Sequence, residues 1–217
     1  MDHKNITQNN ASKIIIFSTF ILSLVYVVVR YHIFGGVEWR EFPLFILNKV
    51  MALTGFLLVT FNFSFGPFKN IGIKIPDSWM AARNILAMTG FIFLLIHALM
   101  SFLLFSPAHY GKFFESDGTF TLIAGMSMFT GVIGFVLLWM MNITFQSFMR
   151  ENDAFVTFIG SRKFLLWALT LGGLHILLMG YNGWTHPTDW QGSIPPVSLV
   201  AFVFFTVGYI ANVLGRK

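Results

Sequence analysis

The stretch Ala81–Phe105, AARNILAMTGFIFLLIHALMSFLLF, decides how the rest of the chain is read. It carries one cation near its start, Arg83, and then runs uncharged for longer than the ~20 apolar residues a helix needs to cross a bilayer. One histidine, His97, stands in the middle of that run. An ionisable, metal-ligating side chain deep in a membrane segment is costly, so its presence is read as functional. A second apolar stretch, Phe164–Trp184 (FLLWALTLGGLHILLMGYNGW), places His175 in the same way.

The composition agrees with a membrane chain. Of 217 residues, 56% are hydrophobic and 11% are charged, and the mean hydropathy is +0.72. A soluble domain carries roughly 25% charged residues. A chain this apolar lacks the polar surface to face water, and its apolar runs leave no length for a sizeable soluble domain. The net charge of +5 and pI near 9.6 therefore point to loops facing anionic lipid, and not to nucleic acid. There is no cysteine, which excludes disulfides, thiolate metal sites and cysteine-ligated clusters.

Charges bracket six predicted helices: Ile14 to about Phe34, Phe45 to Phe65, Ala81 to Phe105, Phe120 to Ile143, Phe164 to Tyr181 and Pro196 to Leu214. Lys4 and Lys13 precede the first run as in a signal peptide, but no small-residue cleavage site follows, so the helix is read as retained. Ten Lys and Arg residues fall on the side of the termini and four on the other: Arg30, Arg40, Lys49 and Lys112. By the positive-inside rule both termini are expected in the cytoplasm. The expectation is an all-α six-helix bundle over residues 14–214, with tails at 1–13 and 215–217. A multi-pass protein of the bacterial inner membrane fits this plan.

The third and fifth predicted helices then run in the same direction. His97 lies 14 residues beyond Arg83, and His175 lies 13 beyond Arg162. At 1.5 Å rise per residue both stand roughly 20 Å from the inner boundary. Two neutral imidazoles at one depth, with no thiolate or carboxylate beside them, make a poor zinc site. They suit a haem iron, which needs only two axial ligands. Gly90 and Gly172 precede the two histidines on the same helix faces, where missing side chains would admit a flat macrocycle or serve close helix packing, the commoner use of glycine in membrane helices. The competing reading is that each histidine is a polar bridge between helices.

The helix Arg83-Asn84-Ile85-Leu86-Ala87-Met88-Thr89-Gly90 leading to His97-Ala98 resembles the third helix of the ferric reductase-like transmembrane domain. That superfamily includes the haem subunit of the bacterial methionine sulfoxide reductase system, the membrane part of NADPH oxidases and the STEAP metalloreductases. Gly160-Ser161-Arg162-Lys163 through Trp167 to Leu174-His175 resembles the family's fifth helix, and Met141-Asn142-Ile143-Thr144-Phe145 is similar to the segment before it. Many members carry a second histidine on the fifth helix and hold an inner haem. Here Arg162 stands in that slot, facing Asn84 or Arg83. The resemblance thus implies one haem b per chain, in the outer leaflet, with His97 and His175 axial. The oxidases' soluble flavin and nicotinamide domains have no counterpart in this chain.

A lone outer haem leaves roughly 20 Å to the cytoplasmic face. The expected donors are a quinone pool, a flavin, or a cytoplasmic flavoprotein docking on Arg150, Arg162 and Lys163. Trp167 is a candidate relay, with packing as the alternative. Arg30 and Lys49 lie at a depth suited to haem propionates or to lipid headgroups. His32, His109 and His186 fall on three outer loops and read as solvated. The acceptor is expected outside, as a metal chelate or a partner reductase. The alternative function is a haem-free transporter or assembly partner with structural histidines. Nucleophilic and hydrolytic catalysis finds no motif in the sequence.

Overall fold

The computed structural model describes residues 3–144 and 153–215, with side chains from residue 10 onward except that of residue 153. Its helices are α1 (His3–Val27), α2 (Leu47–Asn70), α3 (Asp77–Leu104), α4 (Pro107–Tyr110), α5 (Leu122–Ile143), α6 (Asp153–Ile159), α7 (Arg162–Trp184) and α8 (Val197–Leu214). No strand occurs among the described residues; Phe114 and Phe120 form an isolated antiparallel bridge. Six helical segments are long and apolar enough to cross a membrane: Asn10–Ile33, Trp39–Asn70, Asp77–Leu104, Leu122–Ile143, Arg162–Trp184 and Gln191–Leu214. All six expected spans are present, with ends shifted by a few residues.

The larger shifts have local causes. Helix α1 starts at His3, so the expected N-terminal tail is helical. Extending a helix costs far less than nucleating one, so polar residues can prolong an apolar helix without any pattern of their own. The second span begins earlier than expected, through a 3₁₀ turn at Trp39–Glu41 and a π-helical turn at Phe42–Ile46. Pro43, in the first turn of that segment, needs no amide partner there. The first span also ends in a π-helical turn, Val28–Ile33. Helix α8 starts directly after Pro195 and Pro196, residues without an amide donor and so suited to a helix start. Thr121 caps α5, its hydroxyl accepting the Ala124 N–H at 3.1 Å.

The chain divides into two compact units, Met1–Leu104 with Gly183–Lys217, and Phe105–Asn182. In the first unit α2 is the hub. Half of its apolar window (50%) is buried, against 17% for α3, and it packs against α1, α3 and α8. Gly208 of α8 lies against Ser64, Phe63 and Thr60 of α2. The buried Asn212 carboxamide donates to the Phe63 carbonyl at 3.0 Å and to the Gly208 carbonyl at 2.9 Å. Small residues and polar clasps of this kind replace the hydrophobic drive that is lost between helices in lipid.

The α2–α3 contact has a regular register. Asn62 and Arg83, Gly55 and Gly90, and Asn48 and His97 are paired across it, each pair seven residues from the next on both helices. Seven residues are about two helical turns, so the three pairs fall on one face of each antiparallel helix. At one end Arg83 Nε donates to the Asn62 carbonyl at 2.7 Å. In the middle the two glycine backbones touch. At the other end stands His97.

In the second unit α5 and α7 pack through glycine as well. A Cβ on Gly134 would lie 3.3 Å from the Gly172 nitrogen. The loop before α5 is polar and closed by its own bonds. The Thr119 hydroxyl and N–H donate to Asp117, which holds that carboxyl below its usual pKa. Lys112 Nζ donates to the Met179 carbonyl at 3.1 Å, and its partial burial pushes the ammonium pKa down.

Candidate functional site

Both histidines singled out by the sequence sit inside apolar helices, and both are gripped at the same ring atom. His97 Nδ1–H donates to the side-chain oxygen of Asn48 at 2.7 Å. Asn48 is 1% exposed. Its amide nitrogen donates to Ser101 Oγ at 3.1 Å, and that hydroxyl lies 3.3 Å from His97 Nδ1 and 3.4 Å from the Asn48 oxygen. A buried carboxamide is costly unless its oxygen and nitrogen are both engaged, and here both are.

His175 Nδ1–H donates to the backbone carbonyl of Ser127 at 2.8 Å. A carbonyl only accepts, so the proton must be on Nδ1 and the lone pair on Nε2. The Ser127 hydroxyl reaches the His175 carbonyl at 3.4 Å, which ties α5 to α7 a second time. The ring lies against Gly131, where a Cβ would stand 2.6 Å from Nδ1 and 2.9 Å from Cε1. Each imidazole is thus presented in the tautomer that metal-ligating histidines use. One ring nitrogen is anchored by an oxygen and the other carries the lone pair.

The remaining expected residues are placed as follows. At Gly90 the space left by the missing side chain faces α2. A Cβ there would meet the Gly55 carbonyl at 2.9 Å, Val59 at 3.0 Å and Leu58 at 3.1 Å. Gly172 likewise serves the α5–α7 contact, opposite Gly134. Arg30 is buried (6% exposed), on the π-helical turn that ends the first span. Its guanidinium donates to the Ile194 carbonyl and stands 5.2 Å from the Tyr31 ring, so it does not snorkel to the surface. Its Nε is a buried donor without a partner. The Lys49 ammonium lies 5.0 Å from the same Tyr31 ring and 3.9 Å from Phe45. The two cations therefore flank one tyrosine, and Lys49 adjoins Asn48 in sequence.

Trp167 is exposed on α7, which places it on an outward face. His32 donates from Nδ1 to the Val37 carbonyl at 2.6 Å, and its ring packs against Trp39 at a tilt of 41°, with centroids 4.1 Å apart. His109 and His186 bond to neighbouring hydroxyls, of Ser106 and Thr185. Among the described residues no three His, Cys, Asp or Glu gather into a metal-binding group. Arg162 opens α7 and Lys163 follows it, exposed; Arg150 lies outside the described residues.

Sequence reading missed Asn48, Ser101, Ser127 and Gly131. Ser101 carries a signal, standing one helical turn beyond His97, whereas Asn48 becomes its partner only through the register of α2 against α3. The class shown is an α-helical chain with, among the described residues, six helices long and apolar enough to cross a membrane, two of which carry a histidine anchored through Nδ1. No known protein-family model matches the chain, and no curated protein matches it.

Proposed function

We propose that the chain is a membrane b-type cytochrome that passes electrons through one bis-histidine haem to an acceptor outside the cytoplasm. The observation that supports this reading most is the common anchoring of His97 and His175. Each gives its Nδ1 proton to an oxygen, so each carries its lone pair on Nε2, as an axial ligand must. The motifs around Arg83, Gly90 and His97, and around Arg162 and His175, resemble those of the ferric reductase-like domain in the same sense. The donor set fits a macrocyclic iron, which supplies four of its own ligands and asks the protein for two.

In this reading His97 and His175 would be the residues that hold the iron. The bound haem would supply reversible one-electron exchange without gain or loss of a substrate atom. Arg30, with its spare Nε donor, and Lys49 would supply positive charge for propionates. The apolar walls of the helices exclude water. The electron donor would be a quinol, a flavin, or a flavoprotein attracted by Arg150, Arg162 and Lys163. The acceptor would be a metal chelate or a partner reductase. The termini lie in the cytoplasm, and the membrane is the bacterial inner membrane.

The test follows the electron. The chain, purified in detergent with haem supplied, is reduced with dithionite, freed of excess reductant under argon, and mixed with ferric citrate. The expected result is a sharp low-spin b-type reduced spectrum that decays to the oxidised form on mixing. A chain that forms no reducible chromophore contradicts the reading, and the histidines then serve as hydrogen-bonded bridges in a haem-free bundle. A chromophore that ferric citrate leaves reduced removes the metal-chelate acceptor and leaves a partner reductase.

A further inference from the structure

The two candidate ligands are anchored differently. His175 gives its Nδ1 proton to a main-chain oxygen, that of Ser127. His97 gives its proton to a side chain, Asn48, which is itself buried and braced by Ser101. A backbone acceptor is the same whatever residue supplies it. A side-chain acceptor is chosen by the sequence.

We propose that Asn48 is a positioning residue for His97, fixing its tautomer and ring plane and setting the electron-donating strength of its Nε2. This rests on the haem reading above for its redox consequence, but not for its structural content. Asn48 is held where it can do this by the register of α2 against α3. The Gly55–Gly90 contact lies two turns away on each helix and permits the close approach. The carboxamide oxygen is directed at the imidazole because its nitrogen is committed to Ser101 Oγ at 3.1 Å. Ser101 stands one turn beyond His97 on the same helix, so the three side chains form a closed triangle: 2.7 Å from His97 to Asn48, 3.1 Å from Asn48 to Ser101, and 3.3 Å from Ser101 back to His97. An oxygen that draws on the Nδ1 proton pushes electron density toward Nε2. This raises the basicity of the ligand and favours the oxidised metal. Nothing in the triangle needs a metal to form, so the arrangement is a property of the folded chain.

Two measurements separate this proposal from the haem reading. The first uses the chain without haem. Nitrogen-15 histidine spectra in detergent, with His97→Gln to assign the signal, are expected to show His97 as the Nδ1–H tautomer. They are expected to show loss of that fixed tautomer in Asn48→Leu. A His97 that is Nε2–H in the native chain, or a tautomer unchanged by Asn48→Leu, overturns the proposal whether or not the chain binds haem. The second uses the haem-loaded chain and reads the midpoint potential. Asn48→Leu removes the acceptor and is expected to shift the potential upward. Asn48→Asp strengthens the acceptor at the same size and is expected to shift it downward. A purely structural role would move both variants the same way or neither, and either result overturns the proposal. Should Asn48→Leu fail to fold, the native tautomer and the sign of the Asn48→Asp shift still decide it. Absence of any haem spectrum with the Nδ1–H tautomer present counts against the cytochrome reading alone.

Discussion

Replacing Gly131 by valine is expected to dislodge His175 and, on the cytochrome reading proposed above, to abolish haem binding with it. The added Cβ would lie 2.6 Å from Nδ1, 2.9 Å from Cε1 and 3.1 Å from Cγ of the imidazole, so three ring atoms must move at once. The ring cannot move without giving up its bond to the Ser127 carbonyl at 2.8 Å. Inside a bilayer no water replaces that partner. Overpacking a fitted contact costs about 1–3 kcal/mol, and an interhelical hydrogen bond in a membrane adds about 0.6–2 kcal/mol. The control is Gly125 on the same helix, where a Cβ meets nothing within 4 Å. Gly125→Ala is expected to leave both stability and haem content unchanged, and its helix propensity is better. Unfolding in mixed SDS micelles checks the stability difference, and haem per chain checks the site. Equal behaviour of the Gly131 and Gly125 variants would contradict the packing described.

The second large effect is expected at the middle of the α2–α3 register. A Cβ on Gly55 would lie 2.9 Å from the Gly90 carbonyl, and a Cβ on Gly90 would lie 2.9 Å from the Gly55 carbonyl. Both obstacles are backbone, which cannot rotate aside, so either substitution must push the helices apart. Gly55→Leu or Gly90→Leu is expected to cost about 1–3 kcal/mol, toward the upper end because α2 is the hub of its unit. The two sites share one contact, so the paired Gly55→Ala/Gly90→Ala variant should cost less than the sum of the single alanine changes. The separation should also be felt two turns away, as a weaker hold of Asn48 on His97. A double-mutant cycle read by unfolding in mixed micelles tests the coupling. Strict additivity would mean that the two glycines do not face each other.

These two results bear on what the chain discloses before folding. The six spans were legible because a helix in hydrocarbon must be long and apolar, and loops between such helices collect the charges. The two histidines were legible for the complementary reason, that a polar group in an apolar run stands out. What holds them was not legible. Asn48 sits at the start of an apolar run beside Lys49, where it reads as an interfacial polar residue. It becomes a partner only once α2 is known to lie antiparallel to α3 in one register. The acceptor for His175 is a main-chain carbonyl, which leaves no trace in the side-chain sequence.

The glycines show the same limit. Gly125, Gly131 and Gly134 look alike along α5, yet one meets open space, one a histidine ring and one a neighbouring backbone. Gly90 shows only an absent side chain in the sequence, and its surroundings are those of helix packing against α2. One trace of the register does lie in the sequence. Asn48, Gly55 and Asn62 on α2, and Arg83, Gly90 and His97 on α3, are polar or small residues at seven-residue spacing. Two such ladders of equal step are what an antiparallel helix pair needs in order to match.

The most direct test of the account is haem stoichiometry. The native chain, His97→Ala and His175→Ala are purified in one detergent with haem supplied, helical content is confirmed by circular dichroism, and haem per chain is read as the pyridine complex. The account predicts about one haem per native chain, low-spin in both redox states, and none in either variant while the helices remain. A folded native chain that takes up no haem, or a variant that keeps the full low-spin spectrum, would contradict it.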